Sequence, residues 1–121
     1  MRRVFQDDEN GCGVACVAMI AGITYDDARR IIFKHRRGTY TNTTDLRRAL
    51  KRLHVRIAGR MTPLGTLDYR RLREQAILKV NLYRGGTWHW VVWDPRRKII
   101  LDPQRKHAKR YRVHSMIVVQ S

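Results

Sequence analysis

Cys12 stands between Gly11 and Gly13, directly ahead of the apolar run Val14-Ala15-Cys16-Val17-Ala18-Met19. The polar stretch Gln6-Asp7-Asp8-Glu9-Asn10 precedes it. That change of character predicts a loop running straight into a helix, with the cysteine at the junction. A helix N-terminus carries about half a positive charge and unpaired N–H groups. Thiols set at such a position tend to hold more thiolate at neutral pH. The two glycines leave space for a backbone or a substrate to come close. Gln6, upstream in the same loop, brings a neutral amide donor toward the same spot. A nucleophile, a positive dipole and an amide donor are the parts of a cysteine acyl-transfer site.

Such a site also needs a base. His89 lies in Trp88-His89-Trp90-Val91-Val92, which reads as a strand, and Asp102 lies in Leu101-Asp102-Pro103. Between them, Asp94-Pro95-Arg96-Arg97 has the residues of a type I turn. With Pro95 and Arg96 at the turn centre, Asp94 pairs with Arg97, and His89 faces Asp102 with Cβ atoms about 5 Å apart. A register two residues longer keeps both on one face, whereas a one-residue bulge separates them. Asp94 is the poorer partner, because five residues along a strand cover about 16 Å. Alternation puts Trp88 and Trp90 on one face, expected to be core, and Trp93 on the His89 face, expected to line a cleft. Taken alone, His89 also suits a packed strand residue, and Asp102-Pro103 a plain turn. Their order behind Cys12 is what points to chemistry.

The spacing Gln6-x5-Cys12-Gly13-x-Ala15-x3-Met19, with a later His opening a hydrophobic strand and an Asp-Pro beyond it, resembles the C39 family of papain-like cysteine peptidases. The resemblance runs from Gln6 to Pro103. It implies a papain-like α+β fold, with the nucleophile at the start of the first helix and N-terminal helices packed on a C-terminal antiparallel sheet. It also implies the roles. Cys12 attacks a carbonyl, His89 moves the proton, Asp102 orients the imidazole, and Gln6 with the Cys12 backbone N–H stabilises the oxyanion.

The elements that must position these residues follow from local patterns. Cys12 to Ala21 is apolar nearly all round, so a buried helix is expected, with Gly22 as its C-cap. Thr24-x-x-Asp27 opens a second helix as a variant capping box and carries it to about Lys34, where His35-Arg36-Arg37-Gly38 ends it. The polar Thr41-Asn42-Thr43-Thr44 caps a third, from about Thr44 to Leu53. Val55 to Arg60 is expected as a short strand, Pro63-Leu64-Gly65 as a turn, and Leu67 to Glu74 as a short helix. Four strands then follow: Ala76–Tyr83, Thr87–Trp93, Lys98–Leu101 and Tyr111–Val119, the first two linked at Gly85-Gly86. Helices first and sheet second is an α+β layout. With 121 residues, no repeat and no linker, a single domain spanning 1–121 is expected.

Lys and Arg number 26 against 10 Asp and Glu, a formal net charge of +16, so a polyanionic partner is expected to be attracted. The outward cations Arg29, Arg30, Arg36, Arg37, Arg47, Arg48, Lys51 and Arg52 are the candidate contacts for nucleic acid or an acidic partner. Asp7, Asp8 and Glu9 would oppose a thiolate, so their side chains are expected to face solvent. Two cysteines four residues apart on one helix suit neither a disulfide nor zinc, and Cys16 reads as core. His35, His54, His107 and His114 have no partner at metal-ligand spacing, so neither metal nor another cofactor is expected. No apolar run approaches the roughly 20 residues of a membrane span, and no signal-peptide region follows Met1-Arg2-Arg3; a soluble, cytoplasmic protein is expected. Three functions fit: a peptidase or amide hydrolase acting on a peptide or protein, an acyl or amide transferase using the same triad, and a papain-fold module that grips a polyanion.

Overall fold

The computed structural model describes residues 1–34, 38, 40–58, 62–63, 68–82, 86–105 and 110–120. Three helices lead the chain: α1 (Cys12–Ala21), α2 (Tyr25–Phe33) and α3 (Thr43–Arg52). Five strands follow: β1 (Thr62–Pro63), β2 (Ala76–Val80), β3 (His89–Asp94), β4 (Ile99–Leu101) and β5 (Val113–Val118). They form one antiparallel sheet in the order β1-β5-β2-β3-β4. The α+β layout expected from the sequence is therefore present.

α1 is buried from Gly13 to Met19 because every one of those residues is small or apolar. It packs on β3 and against α2 and α3. Gly22 ends it in the left-handed conformation, φ 71°, where its N–H reaches the Ala18 carbonyl. α2 starts on Thr24, whose hydroxyl accepts from the Asp27 N–H at 3.1 Å, and it buries Tyr25, Ala28, Ile32 and Phe33. α3 starts on Asn42 in a full capping box with Asp45 and buries Leu46, Ala49 and Leu50. The expected end of α2 at 35–37 lies outside the described residues.

Both faces of the sheet are covered. Ile77, Trp90, Val92, Leu101 and Ile117 point into the core shared with the helices. Leu78, Val80, Val91, Trp93, Val113 and Met116 point the other way and form a second core with Leu72. All six residues of β3 are consequently buried. Burying each large apolar side chain contributes about 1.5–3 kcal/mol, so this central strand is held firmly from both sides.

Several expectations change. Leu67 to Glu74 does not form a full helix: a single 3-10 turn, Tyr69–Arg71, is capped by Asp68, while 64–67 lie outside the described residues. The turn is short because Leu72 must drop into the second core. Tyr69 stands edge-on to Trp93 at 5.2 Å, and the Trp93 indole N–H donates to the Leu72 carbonyl at 3.3 Å. Trp93 is thus a core residue and lines no part of the cleft described below. The expected strand at Val55 to Arg60 is reduced to a bridge between Ile57 and Val119, with 59 and 60 outside the described residues. Of the Pro63-Leu64-Gly65 turn, Pro63 instead pairs with Ser115 in the sheet, and 64 and 65 are not described. β2 stops at Val80 because Asn81 turns to φ 54° and its side chain bonds the Arg110 carbonyl and the Arg112 N–H. The Gly85 half of the Gly85-Gly86 link lies outside the described residues.

Candidate active site

Cys12 is the first residue of α1, and Gly11 in the cap position supplies no side-chain hydrogen bond. The Cys12 side chain is half-buried. The loop before it is tied down. The Gly11 N–H donates to the Asp8 carbonyl at 3.0 Å, and the Tyr25 hydroxyl donates to the Asp8 carboxylate at 2.7 Å. Asp8 is therefore a structural anchor on α2 although its side chain remains 39% exposed, and Asp7 and Glu9 are exposed as expected. Burial and its bond to Asp8 push the Tyr25 phenol well above its ordinary pKa, so it stays a donor. A Cβ on Gly11 would run into that Tyr25 hydroxyl, and a Cβ on Gly13 into the Thr41 hydroxyl. The glycines serve close packing by α2 and by the residues leading into α3.

His89 opens β3 and is 9% exposed. Its Nε2 lies 2.7 Å from Asp102 Oδ1. An ionised carboxylate only accepts, so Nε2 carries the proton and Nδ1 is the nitrogen left for Cys12. The Cys12 thiol lines the same cleft as that imidazole. Burial on its own would lower the His89 pKa; its interactions with Asp102 and Cys12 outweigh it and raise the ring to about 9.

Asp102 is fully buried. Besides His89 it accepts from the Gln104 N–H at 2.9 Å and from the Tyr111 hydroxyl at 2.7 Å. Burial opposes its charge, but the donors on His89, Tyr111 and Gln104 hold its pKa below the ordinary carboxylate value. Its backbone is fixed as well. Arg3 Nε donates to the Asp102 carbonyl at 2.8 Å, and the Gln6 N–H donates to the Pro103 carbonyl at 3.0 Å.

The His89–Asp102 pairing depends on the β3–β4 register. Val92 pairs with Leu101 and Asp94 with Ile99. This is the register two residues longer than the tight turn, and it keeps His89 and Asp102 on one face. The longer loop is possible because Lys98 adopts φ 55°. Asp94 stays at the far end of β3, where its carboxylate accepts from Arg96 N–H and pairs with Arg97 Nε at 2.8 Å.

Cys12 and His89 share a cleft of about 160 Å³. One wall is aromatic, made by Tyr40, Trp88 and Trp90. Tyr40 and Trp88 lie 5.4 Å apart, and Lys79 Nζ sits 4.0 Å over the Trp88 ring. Glu9, Asn10, Asn81 and Gln104 make the polar wall, and Thr41 completes it. The Thr41 hydroxyl is buried and has no partner among the described residues. Sequence reasoning missed Thr41, Tyr40 and Gln104, which no motif marks; Trp88 and Trp90 pack with the core as expected and also line this cleft.

Gln6 sits in the loop before Cys12, but both hydrogens of its amide are used there: Nε2 donates to the Asp8 carbonyl at 3.0 Å and the Glu9 carbonyl at 2.8 Å. In this arrangement Gln6 braces the loop instead of reaching the cleft. Cys16, one turn beyond Cys12, is fully buried, and burial, reinforced by Cys12 and Asp102, pushes its thiol well up. It is therefore a poor nucleophile.

The candidate polyanion contacts are dispersed. Arg29 lies 4.0 Å from Asp8 and Arg30 lies 3.7 Å from Asp27. Arg52 donates to the Ile31 carbonyl and Arg47 to the Ala58 carbonyl, each at 2.9 Å. Arg48 and Lys51 are exposed, and Arg36 and Arg37 lie outside the described residues. No helix among the described residues is long and apolar enough to cross a membrane.

No protein-family model matches this chain, and no curated protein sequence matches it.

Proposed function

We propose that this chain is a cysteine peptidase-like hydrolase of papain-like architecture, akin to the C39 family it resembles, cutting a peptide or amide bond through Cys12, His89 and Asp102. One observation carries the reading: a half-buried thiol at an uncapped helix start shares a cleft with an imidazole whose far nitrogen is 2.7 Å from a fully buried carboxylate. Burying a carboxylate costs several kcal/mol unless it is well bonded, and here one of its bonds orients the imidazole.

The steps follow from the groups present. His89 Nδ1 takes the Cys12 proton, and the thiolate attacks the substrate carbonyl carbon. The oxyanion meets the backbone N–H groups of the first turn of α1, where no capping side chain competes. The intermediate collapses as His89 returns the proton to the leaving amine, which departs and leaves a thioester on Cys12. Water, deprotonated by His89, then releases the acid and restores the thiol. Asp102 holds the ring in the required tautomer throughout. Gln6 becomes a second oxyanion donor when Nε2 gives up one of its two loop carbonyls.

The test is iodoacetamide labelling from pH 5 to 9, read by peptide mass spectrometry, on the wild type and His89→Ala. Fast labelling of Cys12 at pH 6 is expected, with Cys16 inert and the rate collapsing in the variant. An ordinary thiol profile, unchanged by the substitution, overturns the proposal.

A further inference from the structure

A second concave surface lies between α3 and the Val55–Ile57 segment, a groove of about 560 Å³ lined by Thr44, Arg47, Arg48, Lys51, Val55 and Ile57. Thr44, Arg48 and Lys51 follow one another at i, i+4 and i+7, so one face of α3 presents a hydroxyl and two cations to it. Arg48 and Lys51 take part in none of the ion pairs among the described residues. Four cations outside the groove are paired: Arg29 with Asp8, Arg30 with Asp27, Arg70 with Asp68 and Arg97 with Asp94. The acid of α3, Asp45, is turned to the helix start, where it accepts from the Asn42 N–H at 3.0 Å. The groove therefore concentrates uncompensated positive charge in a protein of net charge +16.

We propose that this groove binds the phosphate backbone of duplex nucleic acid. Thr44 to Lys51 spans about 10 Å of helix axis, and one strand of a duplex presents about three phosphates over that length. Two ammonium or guanidinium groups and a hydroxyl match three such phosphates. A membrane surface would ask for a broad apolar face beside the cations, but the apolar residues of α3, Leu46, Ala49 and Leu50, are buried in the core. Single strands would ask for aromatic stacking platforms, and the groove floor is aliphatic, Val55 and Ile57. The contact reads charge and spacing rather than bases, so it is independent of sequence. It also needs no part of the Cys12 chemistry.

The test is fluorescence anisotropy of a labelled 20-base-pair duplex against the full chain over a NaCl series. The two variants compared are Arg48→Gln/Lys51→Gln and, at equal net charge, Arg29→Gln/Arg30→Gln. Log Kd is expected to be linear in log salt, and the Arg48/Lys51 variant to lower the slope by about 2 and weaken binding at least tenfold. The Arg29/Arg30 variant is expected to lower the slope by less than half as much. Melting curves followed by circular dichroism verify that both variants fold. Equal losses in the two variants would mean net charge alone and overturn the groove. Tighter binding of a single-stranded 20-mer, a poly-glutamate peptide or phosphatidylserine vesicles than of the duplex overturns the assignment of the partner.

Discussion

α1 and α3 begin in opposite ways. At α3, Asn42 is extended, ψ 177°, its Oδ1 accepts from the Asp45 N–H at 2.8 Å, and Asp45 returns the bond to the Asn42 N–H. At α1, Gly11 has ψ 12° and offers no side chain to the first turn. With glycine at the cap position the loss relative to a polar cap is roughly a few tenths of a kcal/mol. α1 withstands that because it buries Gly13 through Met19, seven consecutive residues, against the three that α3 buries. Each large apolar side chain so buried contributes about 1.5–3 kcal/mol, more than a cap does. The helix with burial to spare leaves its first turn without a side-chain cap, and the amphipathic helix with less burial caps its own.

If that difference serves catalysis, the largest losses come from the groups that face the open end. Asp102→Asn should lower kcat on a peptide or thioester substrate by about 10³–10⁴, because the imidazole loses its orienting charge. The alkaline limb should also move down from about 9, since the bond to Asp102 is a leading reason the His89 pKa is raised. Retention of activity within tenfold, or an unmoved limb, would break the comparison at its functional end. Next in size is Gly13→Ala. Its Cβ would press on Thr41 and on Leu46 Cδ2. Overpacking costs about 1–3 kcal/mol, against a gain of up to about 1 kcal/mol in helix propensity. A net loss of about 1–2 kcal/mol is expected in urea unfolding, and a neutral result would show that α1 and Thr41 can separate freely.

The helices were legible because their signals are local. The bounds of α1, with Gly22 as its cap, and the Thr24 and polar-loop starts of α2 and α3 can be read within a few residues. The pairing of His89 with Asp102 was legible only as one of two even registers. The choice between them rests on Lys98 at φ 55°, and a lysine carries no left-handed signal as asparagine or glycine does. Strand alternation put Trp88 and Trp93 on opposite faces correctly but could not say which face was open. The sheet is covered twice, and the cover over Trp93 comes from Tyr69 and Leu72, which read as helix. Thr41 in the cleft and Gln6 as a loop brace were not legible at all, because each depends on where a side chain ends in space rather than on its spacing in the chain.

The capped end offers the matching, smaller test. Asn42→Ala removes one half of the capping box and should cost about 1 kcal/mol of stability. Because α3 stands outside the proposed chemistry, iodoacetamide labelling of Cys12 at pH 6 should stay within twofold of wild type. A labelling rate that falls along with stability would mean that the start of α3, through its neighbour Thr41, holds the cleft in shape.

The smallest effect sharpens the electrostatic side. Tyr111→Phe keeps the ring and removes the hydroxyl that donates to Asp102 Oδ2 at 2.7 Å. Asp102 keeps His89 and the Gln104 N–H, so kcat/KM should fall only a few-fold. The sign on stability follows from linkage. A carboxyl whose folded pKa is depressed contributes stability above its unfolded value of about 3.9, and that contribution is lost as pH falls through the folded value. Tyr111 is one of the donors that depress it. The variant should therefore be less stable by about 1 kcal/mol at pH 7, and the gap should narrow as pH is lowered through 4 toward 2. Urea unfolding at pH 7, 4 and 3 reads this directly. A gap that stays constant over the range would mean the hydroxyl acts through packing alone, and that His89 and the Gln104 N–H suffice to keep Asp102 ionised.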